Sequence, residues 1–120
     1  MAHKAGEAAG RADADVELVG TWALLLSTPF GTQPITFMVM RVGGVLSGVM
    51  RHERGAADVS DIAVHGAEFS GLASITLKGT RITADVQGRI ASAQMNGTVK
   101  VHLPIAPPVK FTGKKLVSGQ

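Results

Sequence analysis

Apolar residues recur at every second position along most of this chain, which is the period of strands rather than helices. In the first run, about Glu17 to Thr28, Trp22, Leu24 and Leu26 share one face and Thr21, Ala23, Leu25 and Ser27 the other. Pro29-Phe30-Gly31 breaks it. Further runs predict strands over about Gln33 to Val42, Val45 to His52, Val59 to Val64, Ala67 to Leu77, Thr80 to Gln87, Ala91 to His102 and Val109 to Leu116. Gly43-Gly44, His65-Gly66, Lys78-Gly79 and Gly88-Arg89 read as turns, and Pro104, Pro107 and Pro108 end the seventh strand.

Short strands joined by hairpin-type links, with no helix between them, predict an all-β fold. The architecture expected is an eight-stranded antiparallel up-and-down β-barrel with a flexible N-terminal arm. Closure removes the open edges that invite aggregation; a β-sandwich is the rival arrangement. Residues 1–16 form the arm, interrupted by Gly6 and Gly10 and lacking an apolar stripe. Residues 17–116 form the barrel and 117–120 a tail.

One short form repeats: Leu46-Ser47-Gly48, Phe69-Ser70-Gly71, Met95-Asn96-Gly97 and Phe111-Thr112-Gly113. In a strand the large residue and the glycine share a face. The Gly43-Gly44 hairpin sets Val42 opposite Val45, so with Leu46 inward, Ile35, Phe37, Val39, Arg41, Gly48, Met50 and His52 are inward too. The same choice turns in Trp22, Leu24, Leu26, Ile62, Val64, Phe69, Gly71, Ala73, Ile75, Ile82, Ala84, Val86, Met95, Gly97, Val99, Val101, Val109 and Phe111. The small inward residues Gly48, Gly71, Ala73, Ala84 and Gly97 read as room for one small ligand. The other reading is that they let the sheet coil or the Trp22 ring pack. Outside, Leu25, Met38, Met40, Val42, Val45 and Val49 make a contiguous apolar patch, which predicts a homo-oligomer.

Composition narrows this picture. A chain of 120 residues with 45% apolar and 18% charged residues is one folded domain with a core. The absence of cysteine excludes disulfides, thiol catalysis and thiolate metal sites. A net charge of +3 without like-charge runs demands no polyelectrolyte partner. Lys100, Lys110, Lys114 and Lys115 make a basic patch without aromatic stacking platforms, so nucleic acid is not expected. No apolar run reaches the roughly 18 residues of a membrane helix, and no signal-peptide hydrophobic region stands at the start. The expectation is a cytoplasmic protein with no membrane partner.

Arg51-His52-Glu53-Arg54, followed by Asp58, Asp61 and His65, is the densest polar cluster. Alternation places His52 at a barrel mouth, beside inward Arg41 on the neighbouring strand. A histidine can move protons near neutral pH, and an arginine can clamp a carboxylate or enolate. The plainer readings are a solvated strand end, and an Arg41 that snorkels out of the barrel. His3, His52, His65 and His102 show no ligand spacing, so no metal or cofactor is expected.

The leading expectation is a barrel that binds a small hydrophobic ligand, lined by Trp22, Phe37, Val39, Met50, Phe69, Ile75, Met95 and Val99 with Arg41 and His52 as polar anchors. The alternative is a cofactor-free isomerase, cyclase or hydro-lyase in the same cavity, acting on a small apolar carbonyl or unsaturated substrate. His52 would then be the acid/base and Arg41 would stabilise an oxyanion. A second alternative is a structural or assembly barrel with a filled core.

Gly20-Thr21-Trp22 at the opening of the first strand, together with Gly44-Val45-Leu46-Ser47-Gly48, resembles the calycin-like barrels, meaning lipocalins and avidins. The resemblance spans about residues 18–116. It implies that Trp22 closes one barrel end and meets a basic residue of the last strand, Lys114 or Lys115. Lipocalins are longer and usually carry disulfides. Avidins bind their ligand with tyrosines and several tryptophans that this chain lacks, so that ligand does not transfer. The hairpins Thr28-Pro29-Phe30-Gly31 and Leu46-Ser47-Gly48-Val49 are also similar to those of small bacterial barrel domains, from which no activity is carried over.

Overall fold

The alternating runs become strands β1 (Gly20–Thr28), β2 (Gly31–Val42), β3 (Val45–His52), β4 (Gly55–His65), β5 (Glu68–Leu77), β6 (Thr80–Ala91), β7 (Gln94–Val101) and β8 (Val109–Leu116). The computed structural model describes residues 18–116 apart from Arg54 and Ile105. The expected arm, 1–16, and tail, 117–120, lie outside the described residues. Each strand pairs antiparallel with the next, and β8 returns to β1 to give a closed barrel. No helix among the described residues is long and apolar enough to cross a membrane.

The register matches the alternation. Val42 pairs with Val45 and Phe37 with Met50, around a turn whose Gly43 and Gly44 have φ of 59° and 82°. Only glycine adopts two such left-handed residues without penalty. Trp22, Leu24, Phe37, Val39, Leu46, Met50, Val59, Phe69, Val86, Met95 and Phe111 all belong to one buried cluster on the barrel axis.

Two elements differ from expectation. β4 starts at Gly55 rather than Val59, and its pairing with β5 slips between Ser60 and Ala63. That bulge sits at Asp61, which has φ of 52°. Its extra residue lets Val59 and Ile62, an odd number apart, both face the core. Gly88-Arg89 is not a turn: β6 continues to Ala91, and the hairpin turns at Ser92-Ala93, with Ser92 at φ 57°. Gly88 pairs inside the sheet with Phe69 and Gly97.

That pairing explains the repeated glycines. A β-carbon on Gly88 would lie 2.6 Å from the Phe69 ring, one on Gly48 2.9 Å from the Phe37 ring, and one on Gly97 2.8 Å from the Phe111 ring. On Gly71 it would meet Val59 at 2.9 Å. Each inward glycine is thus the seat of a large side chain from a neighbouring strand. Gly48, Gly71 and Gly97 are therefore not gaps in the wall. Ala73 and Ala84, paired at mid-barrel, are small inward residues and are each 8% exposed.

Candidate functional site

The two barrel ends differ. At the end where β1 begins, Leu18 and Trp22 are fully buried, and the Trp22 indole Nε1–H donates to the Leu18 carbonyl at 2.8 Å. Lys115 pairs with Trp22 across β1 and β8 and carries its ammonium 5.6 Å from the indole centroid, within cation–π range. Of the two lysines that the resemblance offered for that place, Lys115 occupies it. Leu24, Phe37, Val86 and Phe111 are also essentially inaccessible. With these side chains at 2% exposure or less, this half of the barrel is the well-buried one.

Towards the other end, burial falls. Met50, Ala73 and Ala84 are 7–8% exposed. Beyond them Leu26, Ile35, Ala57, Ile75, Ile82, Val99, Val101 and Val109 face inward but are only half-buried. These aliphatic groups ring a mouth. Its polar feature is His52, half-buried, with Nε2 3.2 Å from Oε1 of Gln33. Amide and imidazole at that spacing form a hydrogen bond when Nε2 carries the proton.

The sequence-derived site residues separate along this gradient. Met50, His52, Ile75 and Val99 belong to the mouth. Trp22, Phe37, Val39, Phe69 and Met95 are core residues on the filled side. Arg41 and His52 do not meet, contrary to expectation. Arg41 pairs with Leu46, six residues from His52 on the same strand, or about 20 Å away at the usual rise of about 3.3 Å per residue. Arg41 is exposed at the filled end, where its Nη1 reaches the Gly44 carbonyl at 3.5 Å.

Two features were not legible in the sequence. A cleft of about 850 Å³ lies on the outer wall, with Ala23, Leu25, Pro34 and Thr36 in it and Arg51 and Lys114 among its cations. Its lining mixes outward positions on several strands with the inward Leu24, Ile35, His52 and Met95, a set that alternation alone does not bring together. The second is a chain of contacts outside β6 and β7. Asp85 Oδ2 lies 2.9 Å from His102 Nε2, whose Nδ1 is 2.7 Å from the Thr83 hydroxyl. With Asp85 ionised, Nε2 carries a proton, and in the neutral ring the Thr83 hydroxyl donates to Nδ1. All three side chains are on the solvent side of the sheet, where the network ties the end of β7 to β6. Among the described residues no group of three or more metal-ligating side chains comes together.

No protein-family model matches this chain. No curated protein matches it either.

Proposed function

We propose that the barrel is a binding module that takes the apolar part of a small molecule into its open mouth. The observation that carries this reading is the burial gradient. One half buries Trp22, Leu18, Phe37, Phe69 and Phe111, while the other presents half-exposed aliphatic side chains beyond Ala73 and Ala84. Apolar groups left half-wetted at one barrel end gain by covering, at about 25 cal/mol per Å² removed from water. His52 and Gln33 stand at the rim. They suit a ligand whose apolar body ends in one hydrogen-bonding group. The wider site inferred from the sequence shrinks to this mouth, with Trp22 and Phe69 supporting it from below. The calycin-like resemblance belongs to the same reading, supported by the Trp22–Lys115 contact. A cytoplasmic location remains part of it.

A neutral apolar fluorophore, N-phenyl-1-naphthylamine, tests the proposal. Saturable enhancement at a one-to-one ratio is expected. Ala84→Leu, which fills the floor of the mouth, should weaken it about tenfold or more, since a leucine occupies volume the probe needs. Ala73→Leu is the parallel variant, and circular dichroism checks that both fold. Absence of saturable binding, or folded variants that bind like the wild type, would sink the reading. The alternative acid/base reading needs His52 beside Arg41, whereas Arg41 pairs with Leu46 at the other end of β3.

The outer face of β2 and β3 supports a second proposal, a homo-oligomer. Val42 and Val45 are 62% and 65% exposed at the hairpin, Met40 is 43% exposed beside them, and Met38 and Val49 continue the patch. Leu25 adds apolar surface on β1. Light scattering at micromolar concentration should give a mass above one chain, and Val45→Glu should return it to one chain by placing a charge in the contact. A monomeric wild type would refute the proposal.

A further inference from the structure

The turn between β1 and β2 is built to hold Phe30 out. Pro29 and Phe30 are its two central residues, because Thr28 and Gly31 already pair. The Thr28 hydroxyl donates to the Gly31 carbonyl at 2.6 Å and accepts from the Phe30 N–H at 3.1 Å. These bonds fix the turn locally, and Gly31 completes it at φ 110°. Phe30 is left 93% exposed, although it is one of only four phenylalanines in the chain. The other three, Phe37, Phe69 and Phe111, are all buried.

Phe30 does not stand alone in that position. Lys110 pairs with Ser27, so the segment joining β7 to β8 runs beside the β1–β2 turn. That segment carries Leu103, 50% exposed. Both apolar tips therefore stand at the mouth end of the barrel. Cations surround them. Lys78 is in the β5–β6 turn, Arg81 and Lys110 are the second residues of β6 and β8, and Arg51 is the last but one of β3; all are exposed. Arg81 donates from Nε to Ser74 Oγ at 2.7 Å, which orients it along the outer wall. At the turns of this end the described acid is Glu53.

An aromatic tip, an aliphatic tip and a collar of lysine and arginine suit one kind of surface, an anionic lipid bilayer. Apolar tips enter the boundary between headgroups and acyl chains, and the cations stay at the level of the lipid phosphates. We propose that the mouth end of the barrel docks reversibly on anionic membranes through Phe30 and Leu103, with Lys78, Arg81, Lys110 and Arg51 as the electrostatic collar. This replaces the expectation of no membrane partner, which rested on the lack of an apolar span and a signal region. Docking in this orientation sets the proposed ligand mouth against the lipid, yet the two proposals stand or fall separately.

The test is sedimentation of the full chain, without ligand, with sucrose-loaded vesicles. Vesicles of phosphatidylcholine alone are compared with vesicles that also contain phosphatidylglycerol. The chain is expected to pellet with the anionic vesicles and to be released by 0.5 M sodium chloride, since salt at about 1 M cuts the screening length to about 3 Å. Phe30→Ser should weaken binding about tenfold or more, from the apolar area it no longer inserts. Lys110→Glu should weaken it about fivefold or more, given the worth of each cation near an anionic surface. Leu116→Ser, which removes an exposed apolar residue at the opposite end, should leave binding unchanged. Phe30 and Lys110 are exposed, so neither variant removes a core contact. The proposal is overturned if the wild type stays in the supernatant with anionic vesicles. It is equally overturned if Phe30→Ser binds like the wild type or Leu116→Ser loses binding to the same degree.

Discussion

Gly97→Ala destabilises the barrel by about 3 kcal/mol or more, at or beyond the upper end of overpacking effects. The reason is what the added carbon meets. It would clash with the Gln87 carbonyl oxygen, and it would lie 2.6 Å from the Gly88 α-carbon and 2.8 Å from the Phe111 ring. Two of those contacts are backbone, which cannot step aside by changing rotamer. Gly97 pairs with Gly88 on one side and Phe111 on the other, so strands β6, β7 and β8 would all have to shift. The comparison is Gly71→Ala, where the nearest atom is a side-chain methyl of Val59 at 2.9 Å and the next, on Ile62, is at 3.4 Å. That site is expected to yield with a much smaller loss. Urea unfolding followed by Trp22 fluorescence checks both. Equal losses at the two positions would mean that the sheet gives more readily than this packing implies.

Trp22→Ala is the second large effect, about 3–5 kcal/mol. The side chain is wholly buried, so truncation leaves a cavity in the core. It also strands the Leu18 carbonyl that the indole N–H satisfies, and removes the platform under Lys115. Trp22→Phe restores most of the volume but not the hydrogen bond, so it should cost less than half as much. Lys115→Met keeps the aliphatic stem and removes the charge, and about 1 kcal/mol or less is expected from the lost cation–π contact. Thermal unfolding followed by circular dichroism reads all three, since Trp22 is the only tryptophan. A Trp22→Ala barrel within about 1 kcal/mol of wild type would mean that this end is not the anchor of the fold.

The sequence carried the faces of the strands better than their pairing. Alternation has a period of two, so any slip by an even number of residues leaves inward residues inward. The hairpin between β6 and β7 shows this. A two-residue turn at Gly88-Arg89 would set Asp85 against Ser92, whereas Asp85 actually pairs with Lys100. The slip is even, so Met95, Gly97 and Val99 still face the axis. What it hides is the neighbourhood. Gly88 against Phe69, and His102 against Asp85 and Thr83, become visible only in the true register. A glycine at position 88 reads as a turn because glycine is common in turns. Here it is demanded by the ring that covers it.

The candidate site was legible in part for a related reason. Alternation placed Met50, His52, Ile75 and Val99 on the axis, but it cannot say how far along the axis each one sits. That information comes from strand direction. β2 runs from the mouth to the filled end and β3 runs back, so Arg41 near the end of one and His52 at the end of the other are driven apart. Two inward polar residues on adjacent strands share a site only if their numbers are symmetric about the turn. About the Gly43-Gly44 turn, the partner of Arg41 is Leu46.

The pairing of β1 with β8 sets an order of assembly. Thr21 meets Leu116, so the first described strand keeps one side unpaired until the last one has been made. Hairpins β2–β3 and β5–β6 close short loops and can form early, while the final seam waits on contacts between distant parts of the chain. Trp22 lies on that seam, between Phe37 and Lys115. Its burial is therefore a late event. A nascent chain arrested before residue 109 would hold an open sheet, with the unpaired rim of β1 free to recruit a strand from another molecule. Completion of the barrel is what withdraws that invitation.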